Sequence, residues 1–175
     1  DDDISTVIGP WLDGIVLPKV EDADMLKQID SMISSAEASN GLASGIIDLM
    51  PIIETARGVE NATEIASASA RVRRVAFGGG DYTLDLDYLW TEDEEVLSYG
   101  RARLSHASRV AGIDPPVDTV VLQINDDERF LASAERGRKF GFGGRAISIK
   151  DNVQRIFDKM IILPGLRSLP KRYFV

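Results

Sequence analysis

Apolar residues in this chain come in short continuous runs. Each run is followed by a stretch in which they recur every three or four positions. Leu12 to Pro18 reads as a short buried strand punctuated by Gly14 and Pro18. Glu21 and Asp22 suit a helix N-terminus, where free N–H groups and the macrodipole favour negative charge. Met25, Leu26, Ile29, Met32 and Ile33 then form one apolar helix face, and Asn40-Gly41 closes that helix. The unit repeats. Gly45 to Ile53 is a second strand, whose start Pro51 can delay. Val59, Ala62, Ile65 and Ala66 mark the next helix, and Arg74 to Phe77 the next strand. A loop from about Gly78 to Thr91 leads to a long helix, about Glu92 to Ala111, which Asp114-Pro115-Pro116 ends. Thr119 to Ile124 is a continuous apolar strand, and Asp126 to Phe140 a helix turning Phe130, Leu131 and Ala134 inward. Gly143-Gly144 introduces a last strand, Arg145 to Ile149, before a helix from Asp151 to about Asp158. Residues 159–175, with two prolines and several basic side chains, read as an irregular C-terminal tail.

That makes five strand–helix units in a row. Continuous rather than alternating apolar strands imply burial on both faces, hence an α/β fold with a parallel sheet covered by helices. Two architectures fit: an open doubly wound sheet, or part of an eight-fold barrel. A closed barrel takes ~200 residues or more and eight strands. Five units in 175 residues fall short of that, so the sheet is open or the chain corresponds to part of a barrel.

Composition narrows the partners. A net charge of −8 and a pI near 4.7 argue against a nucleic-acid backbone or an anionic membrane surface. Cysteine is absent, which excludes disulfides and thiolate chemistry, and the single histidine, His106, excludes a multi-histidine metal site. No apolar run approaches the ~20 residues of a membrane span. Asp1-Asp2-Asp3 does not resemble a signal peptide, and the expectation is a soluble cytoplasmic protein.

Two apolar runs stop at a carboxylate: Ile52-Ile53-Glu54, and Val75-Ala76-Phe77 followed by Gly78-Gly79-Gly80-Asp81. Neighbouring parallel strands lie ~4.8 Å apart, so carboxylates at successive strand ends can share one cation. Mg²⁺ is a fitting cation, because it takes only one or two carboxylates and completes its shell with water and substrate. Each carboxylate can equally cap the helix that follows it. The glycine triplet is either a phosphate cradle or, the preferred reading, a tight turn that lets a substrate carboxylate or carbonyl come close. Arg57 reads as a solvated first-turn residue and Asp118 as a structural residue preceding its strand. Asp85 and Asp87 read as surface loop charge, His106 as a surface or core-edge residue. Lys19 follows a strand and can point into the site, without the desolvation a Schiff-base lysine needs.

Three stretches carry a resemblance. Asp13-Gly14-Ile15-Val16-Leu17-Pro18-Lys19-Val20-Glu21, Ile52-Ile53-Glu54-Thr55-Ala56-Arg57-Gly58-Val59 and Ala76-Phe77-Gly78-Gly79-Gly80-Asp81-Tyr82 resemble successive strand-end motifs of the HpcH/HpaI aldolase and citrate lyase beta-subunit family, with its malyl-CoA and citramalyl-CoA lyase relatives. The resemblance runs from about Asp13 to about Asp158. It implies a TIM (β/α)8 barrel in which residues 1–158 correspond to strands 4–8, about the first three being absent from this chain. An incomplete barrel exposes strand edges, so a homo-oligomer, trimer or hexamer, is expected. The family's substrate-carboxylate arginine lies near the end of the third strand, and no residue here takes that role. Ile147-Ser148-Ile149-Lys150 stands where the family commonly carries Ile-His-Pro.

The implied activity is Mg²⁺-dependent carbon–carbon lysis of a 3-hydroxyacyl thioester (citryl-, malyl- or citramalyl-CoA type) to a 2-oxo acid and an acyl thioester. The thioester is carried on CoA or an acyl carrier. The resemblance implies that Glu54 and Asp81 hold the metal and, with the main chain at Gly80, meet the substrate's acid end. It assigns no catalytic base. Two further readings are a non-catalytic barrel remnant acting as a binding or assembly subunit, and a thioester hydrolase using the same site.

Overall fold

The computed structural model describes residues 2–121, 126–146 and 173–174. Six strands form its sheet: Gly14–Leu17 (β1), Asp48–Ile53 (β2), Ala76–Phe77 (β3), Val117–Asp118 (β4), Gly144–Arg145 (β5) and Tyr173–Phe174 (β6). All pairings are parallel, in the order β5-β4-β3-β2-β1-β6. Strands β1 to β5 thus lie side by side in chain order, without the reversal that marks a doubly wound sheet. Where the tail was expected to be irregular, Tyr173 and Phe174 pair with Gly14 and Ile15. The expected strand end at 147–149 and the helix from Asp151 to Asp158 lie outside the described residues.

The double burial implied by the continuous runs is present. Ile15, Leu49 and Ile53 face one side of the sheet, where they pack with Leu26, Ile33, Ile65 and Leu104 from the helices. Val16, Met50, Ala76 and Val117, one from each of four consecutive strands, form a second cluster. Pro51 sits inside β2 rather than delaying it. Leu49 N–H donates to Arg71 O, and Arg73 O takes its hydrogen bond from Asp114 N.

The helices are Asp2–Val7 (α1), Ala23–Ser39 (α2), Ala56–Glu60 (α3), Ala62–Ala66 (α4), Gly79–Asp85 (α5), Ser98–Ala111 (α6) and Asp127–Lys139 (α7). Asp22 caps α2 by accepting from Met25 N–H, as its position predicts, and Asp126 caps α7 by accepting from Arg129 N–H. Besides the strand expected to begin at Thr119, which pairs at Val117–Asp118 instead, four elements differ from expectation. The helix read as Val59–Ala66 starts at Ala56 and breaks at Asn61, whose side-chain amide donates to Glu21 O. The stretch read as a loop holds α5: its glycines are poor helix formers, but Tyr82 is buried edge-on against Phe77 at 5.3 Å, and that packing overrides propensity. The long helix begins only at Ser98, because Glu94 adopts a left-handed φ of 56° and its carboxylate turns inward. On α7 the buried positions are Ser133 and Gly137, whereas Leu131 is 66% exposed. A Cβ at Gly137 would lie 2.4 Å from Asp118 Oδ2, so small residues, not the apolar ones, let α7 close on β4. No helix among the described residues is long and apolar enough to cross a membrane.

Candidate functional site

The C-terminal ends of β1 to β4 point the same way, as parallel pairing requires, and bring Lys19, Glu54, Gly78–Asp81 and Thr119 to one sheet edge. In open and closed α/β sheets alike, this is the edge where ligands bind.

Glu54 follows β2 directly and is 6% exposed. Its Oε1 accepts from the main-chain N–H of Lys19 at 2.8 Å. Lys19 reaches that position with a φ of 52°, a left-handed conformation that costs a non-glycine residue about 1 kcal/mol or more. The other oxygen, Oε2, faces Gly78: an added Cβ there would sit 2.3 Å from it. Gly78 is therefore glycine because Glu54 occupies the space of its side chain. Burial holds the Glu54 carboxyl above its ordinary range, the adjacent Asp81 carboxylate adds to that, and the Lys19 N–H opposes it.

Asp81 sits in the first turn of α5. Its Oδ1 lies 3.9 Å from the Lys19 ammonium, both side chains being substantially exposed. One residue thus touches both carboxylates, through its main chain and its side chain. Two carboxylates at one edge, the buried one resisting ionisation, form an oxygen donor set with only the exposed Lys19 ammonium beside it. Hard oxygen donors in this number fit Mg²⁺. Among the described residues no group of three or more His, Asp and Glu is placed to hold a metal, and Glu54 and Asp81 are the carboxylates that meet at this edge.

Gly80 is half-buried, and a Cβ on it would find nothing closer than Trp90 Cζ3 at 3.9 Å. The triplet thus divides: Gly78 and Gly79 are demanded by close neighbours, while Gly80 lies beneath free space. Asp85, read as surface loop charge, is exposed but has a specific partner, its carboxylate accepting from the N–H of Ala56 at the start of α3. Asp87, His106 and Arg57 are exposed, as expected of surface residues. Asp118 ends β4 rather than preceding a strand, and its role is structural in a more specific way than its sequence suggests. The residues that pattern reading missed are Thr119, hidden as one more member of an apolar run, and the main chain of Lys19, which no side-chain pattern reports.

Compared with known proteins, residues 1–148 match the HpcH/HpaI aldolase/citrate lyase family. The citrate lyase subunit beta of Leuconostoc mesenteroides subsp. cremoris is 39% identical over 145 residues, which cover 83% of this chain and 48% of that protein. The L-malyl-CoA/beta-methylmalyl-CoA lyase of Rhodobacter capsulatus is 30% identical over 151 residues, covering 77% of this chain and 47% of its own. The chain spans about half the length of these curated relatives. In fold, a citrate lyase from Burkholderia xenovorans superposes with a TM-score of 0.74 at 18% identity, over 89% of this chain and 52% of that one.

Proposed function

Because this chain belongs to the HpcH/HpaI aldolase/citrate lyase family, we propose that it carries the metal-binding part of a carbon–carbon lyase site. The reaction is cleavage of a 3-hydroxyacyl thioester of the citryl-, malyl- or citramalyl-CoA type into a 2-oxo acid and an acyl thioester. The observation that carries this reading is the meeting of Glu54 and Asp81 at the C-terminal sheet edge, with one Glu54 oxygen turned toward the bare main chain of Gly78. The sheet itself is read as part of a (β/α)8 barrel, β1 to β5 being its strands four to eight. The chain-order run from β1 to β5 and the buried cluster of Val16, Met50, Ala76 and Val117 support that, since a barrel interior is a packed core of side chains from its strands.

Glu54 and Asp81 would hold Mg²⁺, one or two carboxylates being its usual protein share. Bound there, the ion supplies positive charge that polarises a 2-oxo acid carbonyl and offsets charge on its oxygen. The chain's own residues do the positioning. The Lys19 N–H fixes one Glu54 oxygen and leaves the other for the site, and the Lys19 ammonium tempers the negative charge of Asp81. The free space over Gly80 is where the substrate's acid end approaches.

Calorimetry tests the reading. Glu54→Gln and Asp81→Asn should each weaken Mg²⁺ binding by about tenfold or more, since each removes one of two charged ligands. If both variants bind Mg²⁺ as the parent does, the reading is wrong. Release of a 2-oxo acid from malyl-, citramalyl- or citryl-CoA, assayed with and without Mg²⁺, then identifies the substrate.

A further inference from the structure

Behind the Gly78–Asp81 turn lies a closed set of buried charged groups. Asp118, 1% exposed, accepts from Arg101 Nε at 3.2 Å on each carboxylate oxygen and from Arg145 Nη2 at 2.5 Å. Arg101 Nη2 also donates to Glu94 Oε2 at 2.7 Å, and Ser133 Oγ donates to the same carboxylate. Two guanidinium groups balance two carboxylates. Buried ion sets of this kind add little net stability over apolar packing, so their location is more informative than their strength.

That location is one residue from the site. Asp118 Oδ1 accepts the Thr119 N–H at 2.9 Å, and Arg145 Nη1 donates to Thr119 O at 2.7 Å. Both main-chain polar groups of Thr119 are therefore tied to the charged set. The Thr119 hydroxyl in turn accepts the N–H of Gly79 at 2.9 Å, in a buried contact. A Cβ on Gly79 would stand 3.0 Å from Thr119 Cγ2 and Oγ1, so the turn rests against Thr119 without slack. Gly79 begins α5, and Asp81 follows in its first turn.

We propose that Thr119, held in place by Asp118 and Arg145, is a positioning residue for Asp81, setting where that carboxylate stands relative to Glu54. The inference rests on the cation-binding reading above. Groups that orient metal ligands from behind typically contribute ten- to a hundred-fold in affinity. Thr119→Val keeps the shape and removes the acceptor, leaving the buried Gly79 N–H unpaired. In the full chain it should lower Mg²⁺ affinity about tenfold by calorimetry. It should also speed amide exchange at Gly79 while leaving exchange at Leu49, in β2, unchanged. Thr119→Ser, which keeps the hydroxyl, should restore both readouts, whereas a merely space-filling threonine would not distinguish serine from alanine. Thr119→Ala supplies the same measurement if the valine variant misfolds. If Glu54→Gln weakens Mg²⁺ binding and Thr119→Val does not, the positioning role is refuted and the cation site stands. If Glu54→Gln itself leaves binding unchanged, the cation reading falls, and the role assigned to Thr119 falls with it.

Discussion

Glu37→Gln probes the scaffold that delivers Glu54. Glu37 lies on α2, 1% exposed, and accepts the N–H groups of Gly45 and Ile47 that lead into β2, at 2.9 and 3.0 Å. Arg71 grips the same carboxylate through Nη1 and Nη2, each at 2.7 Å. Burial by itself would raise the Glu37 pKa, but the Arg71 guanidinium and the two main-chain donors outweigh it and bring it down to about 2, from an ordinary 4.5. At ~1.4 kcal/mol per pH unit, that depression corresponds to about 3 kcal/mol. Its sign follows from linkage: a carboxyl with a lowered folded-state pKa contributes its full stability above the ordinary value. The contribution is lost as pH falls from 4.5 through about 2. Glutamine keeps the shape, removes the charge and turns one acceptor into a donor facing N–H groups. Asp30 would remain the carboxylate partner of Arg71. In urea unfolding at pH 7 the variant should therefore be less stable by about 3 kcal/mol. The gap to the parent should narrow steadily below pH 4.5; the gap is the readout, because other carboxyls titrate in the same window. A gap under about 1 kcal/mol at pH 7, or one that does not shrink in acid, would refute the argument.

Other perturbations address the site directly. Gly78→Ala places a methyl 2.3 Å from Glu54 Oε2, so it should displace that carboxylate and abolish Mg²⁺ binding. Gly80→Ala, whose Cβ meets open space, should bind Mg²⁺ as the parent does; calorimetry on the two variants separates them. Glu54 carries the opposite linkage sign to Glu37. A carboxyl whose pKa is raised by burial subtracts stability once ionised. Metal-free Glu54→Gln should accordingly unfold at higher urea than the parent at pH 7, and lose that advantage as pH falls through the carboxylate range. Equal midpoints at neutral pH would count against the raised pKa. Mg²⁺ affinity of the parent should begin to fall at a pH above the ordinary glutamate value, because protons compete for Glu54 first.

How much was legible depended on whether the determining interaction was local. The helix start at Asp22, the helix beginning at Asp126, and the double burial of β1 and β2 follow from spacing and side-chain type, and the structure holds them. The carboxylates closing the runs at Glu54 and after Phe77 were legible for the same reason, since a strand end is marked by where apolar residues stop. Helix α5 was not, because the packing of Tyr82 on Phe77 outweighs the two glycines that open it only once the sheet has formed. The inward face of α7 was misread because two buried carboxylates, Asp118 beside Gly137 and Glu94 bonded by the Ser133 hydroxyl, take the places where pattern reading looked for leucine.

What the sequence by itself determined is the alternation of strands and helices from β1 to α4 and the two carboxylates at strand ends, because apolar periodicity and capping act between residues a few positions apart. Only the tertiary structure decided how those carboxylates are aimed. The Lys19 N–H reaches Glu54 across 35 positions, Thr119 reaches Gly79 across 40, and Glu54 takes the space that Gly78 leaves. Contacts over such separations depend on strand order and register, which the pattern within any one segment does not encode.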